Sequence, residues 1–138
     1  MNLIEKRLKR ELVEGVLVRG APMASGARVH AAEFTIDLPP NYPFAPPVLK
    51  LGADDASGRM LWQFSQCRSF IKAHRIPVEC FCCRSLVCNW VPTFSIMDAV
   101  HDLVQYRQTM RLVRACMQAT RKMPFDPYLV SAILAFVY

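Results

Sequence analysis

The chain has 138 residues, enough to bury one core and too few for two, so a single domain over residues 1–138 is expected. Its 53% apolar and 20% charged composition excludes a disordered chain. The formal charge of +6 favours acidic partners without choosing among nucleic acid, an anionic membrane and an acidic protein face.

The opening reads as a helix over Asn2 to Glu14, with Leu3, Ile4, Leu8 and Leu12 as its apolar stripe. Lys6, Arg7, Lys9 and Arg10 form its basic outer face, Asn2 a candidate N-cap and Gly15 a stop. Val16 to Val18 reads as a short strand and Gly20 to Gly26 as a loop. Arg28 to Leu38 alternates as a strand. Pro39-Pro40-Asn41-Tyr42-Pro43 must turn, because proline donates no hydrogen bond to a sheet. Val48 to Leu51 is a further short strand, and Gly52 to Gly58 a polar loop.

Residues 60–90 show no clear period and read as irregular, with one short strand near Val78 to Phe81. Cys67, Cys80, Cys82, Cys83 and Cys88 crowd into this stretch. Pro92-Thr93-Phe94-Ser95 leads into a long helix whose apolar face runs from Ile96 to Met117. Met123 to Pro127 breaks it, and a last helix is expected from about Tyr128. The apolar tail Leu129 to Tyr138 is too short to span a bilayer. The start has no apolar secretory core, so the six cysteines are expected as free thiols in a reducing compartment, cytoplasmic or nuclear. The order of helix, antiparallel strands, irregular segment and helices is α+β.

Four ordered motifs carry a resemblance. Phe34-Thr-Ile-Asp-Leu38 leads into Tyr42-Pro-Phe-Ala-Pro-Pro47 and then Val48-Leu-Lys-Leu51. Trp90-Val-Pro92 precedes the long helix, and Cys82 lies eight residues before Trp90. Lys6-Arg7 and Lys9-Arg-Glu-Leu12 stand in the first helix, and Pro124-Phe-Asp-Pro127 follows the long one. Together they resemble the ubiquitin-conjugating enzyme (UBC) family. The resemblance implies a UBC-like fold: an N-terminal helix, an antiparallel β-meander, an irregular active-site segment and C-terminal helices. The stretch before Tyr42 is shorter than the pattern by one to two strands' length, so the meander is expected to be shortened.

The resemblance also implies a reaction. A thiolate takes ubiquitin or a ubiquitin-like modifier from an activating enzyme as a thioester, and a lysine amine then attacks it, with a ligase guiding transfer. Cys82 is the implied nucleophile, with Cys80 and Cys83 as competitors within two residues. Lys72, His74, Arg75 and Arg84 are close in sequence and are expected to lower its pKa. His74 is the candidate oxyanion donor and Asp126 the candidate carboxylate for the incoming amine. Lys6, Arg7 and Arg10 would meet the activating enzyme, and Phe44, Pro92 and Thr93 the ligase. No metal, organic cofactor, nucleic-acid partner or membrane span is expected.

Each reading has a rival. The family's His-Pro-Asn triplet would fall at Lys72-Ala73-His74, where none of its residues is kept. The related RWD fold shares a Tyr-Pro turn and binds without catalysis. A catalytically inactive variant serving as a binding or scaffold subunit is therefore the alternative. His74, Cys80, Cys82, Cys83 and Cys88 offer zinc ligands, but Cys-x-Cys-Cys fits structural zinc spacing poorly. Asp126 can equally cap the last helix, and the basic face of the first helix can be merely solvated. Trp62 and Phe64 with Arg59 and Arg68 lack any nucleic-acid signature around them.

Overall fold

The computed structural model describes residues 3–12, 17–20, 23 and 25–122. Along them run α1 (Leu3–Glu11), β1 (Val18–Arg19), β2 (Ala27–Ala31), β3 (Phe34–Leu38), β4 (Val48–Leu51), β5 (Asp54–Asp55), α2 (Ala56–Ala73), α3 (Phe81–Arg84) and α4 (Ile96–Lys122). The strands pair in chain order as one five-stranded antiparallel sheet, with α1 before it and the other helices after it in the chain. The α+β class follows the sequence reading, and three strands precede Tyr42, the first of them two residues long.

A tight hairpin makes this possible. Ala31 pairs with Phe34, so only Ala32 and Glu33 connect β2 to β3 where the sequence alternation suggested one strand. Ala32 takes φ 52°, a left-handed conformation usually left to Gly or Asn. No glycine or asparagine therefore marked the turn. Glu33 forms an ion pair with Arg107 of α4, which fastens the hairpin tip to the long helix. At the other end Gly26 has φ 76°, and a Cβ there would lie 2.0 Å from the Leu38 carbonyl oxygen, so only glycine fits this close approach.

Alternation then sorts the sheet into two faces. Ala27, Val29, Ala31, Phe34, Ile36, Leu38 and Leu49 point inward and are buried. They share one core with Ile4 and Leu8 of α1, Met60, Cys67 and Ile71 of α2, and Ile96, Leu103, Met110 and Val113 of α4. On the opposite face Asp37 accepts from Arg28 Nε at 2.6 Å across the β2–β3 pair and lies 2.9 Å from Lys50 Nζ on β4. The Arg28 guanidinium, then Lys50, holds the Asp37 carboxyl down at about 2. Because the folded value lies below the unfolded one, this triad stabilises the fold above the ordinary aspartate range. That stabilisation is lost as pH falls from about 4 towards 2. Asp37→Asn should remove about 1–2 kcal/mol at pH 7 and little at pH 2, read from urea midpoints at the two pH values. An equal loss at both would overturn the assignment.

The largest departure lies after β4. Gly52 and Ala53 turn the chain back into β5, and Asp55 caps α2 by accepting from Ser57 N at 3.2 Å. The 18-residue α2 replaces the polar loop and much of the irregular stretch expected there. Ala56, Met60, Cys67 and Ile71 recur near helical spacing and form its buried stripe. Its C-terminus closes as a Schellman motif, with Ile76 N bonding to Ile71 O at 3.0 Å and Arg75 N to Lys72 O at 3.4 Å. Arg75 carries the positive φ of 51° that glycine normally takes, and the buried pair Ile71 and Ile76 packs beneath the cap. An arginine stop and a helix without acidic residues hid α2 from a reading based on caps and charge. The strand expected near Val78 to Phe81 is absent; Phe81 instead opens α3.

In α1, Ile4 and Leu8 are buried, Leu12 is partly buried and Leu3 is exposed, which trims the expected stripe by one residue. Asn2, Gly15, Val16, the break at Met123 to Pro127 and the last helix lie outside the described residues. Among the described residues no helix is long and apolar enough to cross a membrane.

Candidate active site

Three chain segments far apart in sequence meet at Glu11. Its Oε2 accepts from the Tyr42 hydroxyl at 2.8 Å, and its Oε1 accepts from Ile96 N at 2.6 Å, the first residue of α4. Arg7, one helical turn earlier, donates to the Phe94 carbonyl at 2.8 Å. Burial, followed by the negative charge of Glu11, drives the Tyr42 hydroxyl well above the ordinary tyrosine range, so it stays a donor. Arg7 was expected on the partner-binding face with Lys6 and Arg10. Those two are exposed, whereas Arg7 is drawn inward because its guanidinium satisfies a loop carbonyl.

Trp90 joins the two motif loops. Its indole Nε1 donates to the Pro43 carbonyl at 2.7 Å, and its ring packs on Tyr42 and, edge-on, on Phe94. Val91 to Phe94 is a turn closed by Phe94 N to Val91 O at 3.0 Å, with proline at its second position. Phe44, 67% exposed, and the exposed Pro92 and Thr93 therefore stand on loops that are bonded to each other. Ser95 and Asp98 then start α4 with a reciprocal capping box, at 2.8 and 3.0 Å.

The cysteine segment is docked on α4 at two points four residues apart. Asp102 Oδ2 accepts from Leu86 N at 3.0 Å, and the Tyr106 hydroxyl donates to Glu79 O at 2.8 Å. Phe81, fully buried, packs on the Tyr106 ring at 4.9 Å between centroids. This holds Cys82 with an exposed thiol on α3, flanked by exposed Cys83 and half-buried Cys80. Sequence reading missed Glu11, Asp102 and Tyr106. The i, i+4 spacing of Asp102 and Tyr106 on a helix was the only available sign of the latter two.

The electrostatics reverse the expected direction. Hydrogen-bond contact with the Cys88 thiol, then the charge interaction with Cys88, raises the Cys82 thiol above the ordinary cysteine value. Cys80 and Cys83 push the same way. Lys72, Arg75 and Arg84 are near in sequence, but it is the neighbouring thiols that set the environment of the sulfur. His74 caps the C-terminus of α2, and its ring packs on Phe70 at 4.4 Å between centroids. The triplet position Lys72-Ala73-His74 is thus the end of a helix. Asp126 lies outside the described residues.

Exposed His101 borders an open groove of about 370 Å³ along the first turns of α4, together with Leu86, Phe94, Asp98, Asp102 and Gln105. Trp62 is exposed on α2, with Phe64 half-buried beside it. Among the described residues no group of three or more His, Cys, Asp or Glu side chains is placed to hold a metal ion. No family model, curated protein or solved structure matches this chain.

Proposed function

We propose that the chain accepts ubiquitin or a ubiquitin-like modifier as a thioester on Cys82 and passes it to a lysine amine with a ligase. The reading is supported by one convergence. The exposed Cys82 stands eight residues before Trp90, and the Trp90 indole is bonded to the Tyr42-Pro43-Phe44 turn. Motifs that resemble the family in sequence are therefore neighbours in space, with an accessible thiol on the segment between them. In this reading Lys6 and Arg10 serve the activating enzyme, Phe44, Pro92 and Thr93 the ligase, and the cytoplasm or nucleus is the setting. Asp126 remains the proposed carboxylate and His74 the proposed oxyanion donor, the latter requiring its ring to leave Phe70.

A second reading, a catalytically silent binding or scaffold subunit, is favoured by the raised Cys82 thiol and by the His74 ring packed on Phe70. Incubation with activating enzyme, ATP and modifier separates the two. The conjugation reading expects a thiol-sensitive adduct that is lost in Cys82→Ala and retained in Cys80→Ser and Cys83→Ser. Charging should still be rising above about pH 8.5, because only the thiolate attacks. If no modifier charges the chain, the conjugation reading fails and the binding reading takes its place.

A further inference from the structure

Past the residues that dock the cysteine segment, α4 changes character. From Leu103 to Lys122 it carries no aspartate or glutamate, and α2, packed against it, carries none over Ala56–Ala73. Arg107, Arg111, Arg114, Gln118 and Arg121 recur at i, i+4, i+7, i+11 and i+14. On a helix rising about 1.5 Å per residue these positions form one stripe about 21 Å long. Tyr106, Met110 and Val113 occupy the buried side, so the stripe lies outside the core: Arg111 and Arg121 are exposed, Arg107 and Arg114 half-buried. Arg107 ion-pairs with Glu33 of the β2–β3 hairpin. Arg111, Arg114 and Arg121 make no ion pair among the described residues. A merely solvated helix face mixes both signs, because like charges at i, i+3 and i, i+4 repel and opposite ones attract. The helix dipole accounts for a cation in the last turn, such as Arg121, but not for Arg107, Arg111 and Arg114 in the middle of a 27-residue helix.

We infer that this arginine stripe docks an acidic helical segment of a partner protein. The stripe's first guanidinium is already held by a carboxylate, that of Glu33, and the arginines beyond it offer the same fork to further carboxylates. The repeat is that of a helix face. A helix lying alongside α4 with glutamates at matching positions stays in step with it for about four turns. Gln118, in the gap between Arg114 and Arg121, adds an amide donor to the same line. The stripe holds no large apolar side chain to enter a bilayer and no aromatic ring to stack a base, which disfavours a membrane or a single-stranded nucleic acid as its occupant. Asp102 and Tyr106, which hold the cysteine segment, stand on another side of α4, so docking needs neither Cys82 nor its loops.

The test titrates the whole chain into a fluorescently labelled, alanine-rich helical peptide with glutamates at i, i+4, i+7, i+11 and i+14, and reads anisotropy at low salt. A second peptide of the same composition has its glutamates spread around the helix. The striped peptide should bind about tenfold more tightly than the spread one, and added salt should weaken it. Arg111→Glu and Arg121→Glu should each weaken binding of the striped peptide by about three- to tenfold. Lys9→Glu, the same change of charge at an exposed position of α1, should leave it within about twofold. A lysine-striped peptide should prefer the Arg111→Glu, Arg121→Glu double variant to the wild-type chain, which a misfolded variant could not achieve. Failure of the striped peptide to bind, equal binding of the two peptides, or equal weakening by Lys9→Glu overturns the inference. So does a DNA duplex or a phosphatidylserine vesicle that binds more tightly than the striped peptide and is lost in Arg111→Glu, because the stripe then serves phosphates.

Discussion

Glu11→Ala is expected to lower the unfolding free energy by about 3–4 kcal/mol, with no large apolar group removed. The carboxylate side chain is only 9% exposed and serves two donors at once, Tyr42 Oη and Ile96 N. Alanine leaves both donors without their acceptor and strips Arg7 of its 3.6 Å ion-pair partner. Each abandoned buried donor costs about 1–3 kcal/mol, and hydrogen bonds to a charged group lie at the upper end. Tyr42→Phe should cost about half as much, because it removes one donor and leaves the α4 start capped. Urea denaturation of Glu11→Ala, Tyr42→Phe and the double variant checks this. The losses should be markedly non-additive, since both single changes remove the same bond. Strictly additive losses, or a Glu11→Ala loss under about 1 kcal/mol, would show that the three-way junction is decorative.

Phe81→Ala is expected to cost about 3–5 kcal/mol, as for other fully buried aromatic rings truncated to a methyl group. The ring, carried by α3, packs at a tilt on Tyr106 of α4, whose hydroxyl in turn holds Glu79. The effect should also be local. Amide exchange at residues 80–89 should accelerate in Phe81→Ala more than exchange in β2 and β3, because Phe81 lies in that segment and packs on Tyr106 of α4. Tyr106→Phe keeps the ring contact and removes one hydrogen bond, so its cost should be about 1 kcal/mol. Uniform acceleration across the molecule in Phe81→Ala would mean that the cysteine segment is not a separately anchored unit.

The parts of the fold that were legible in the sequence have local causes. Proline at positions 39, 40, 43, 46 and 47 forbids a strand there, so the turn between β3 and β4 follows from covalent structure. The apolar repeat of α4 announces a long helix because its buried face recurs at helical spacing along one continuous segment. Alternation over residues 28–38 predicted strand, yet the reversal at Ala32 escaped because an alanine holds the left-handed turn. Helix α2 escaped for a related reason: its stop is Arg75, and the contact between Ile71 and Ile76 stabilises a conformation that arginine alone would not choose.

The candidate site divides the same way. The spacing from Cys82 to Trp90 is a property of the chain, and so are the exposed apolar tips at Phe44 and Pro92 once their turns are recognised. The Trp90–Pro43 bond spans 47 residues and the Glu11–Ile96 bond 85, and no local pattern encodes either. The environment of Cys82 shows the difference most clearly. In sequence it stands among lysine, histidine and arginine, which would favour the thiolate. In the folded chain the neighbouring thiols, Cys88 first, raise the Cys82 thiol instead and disfavour the thiolate. By itself the sequence determined that a cysteine would sit ahead of a Trp-x-Pro turn and a long helix. Only the tertiary structure decided what that cysteine touches, because contact distance depends on how the chain closes on itself and not on separation along it.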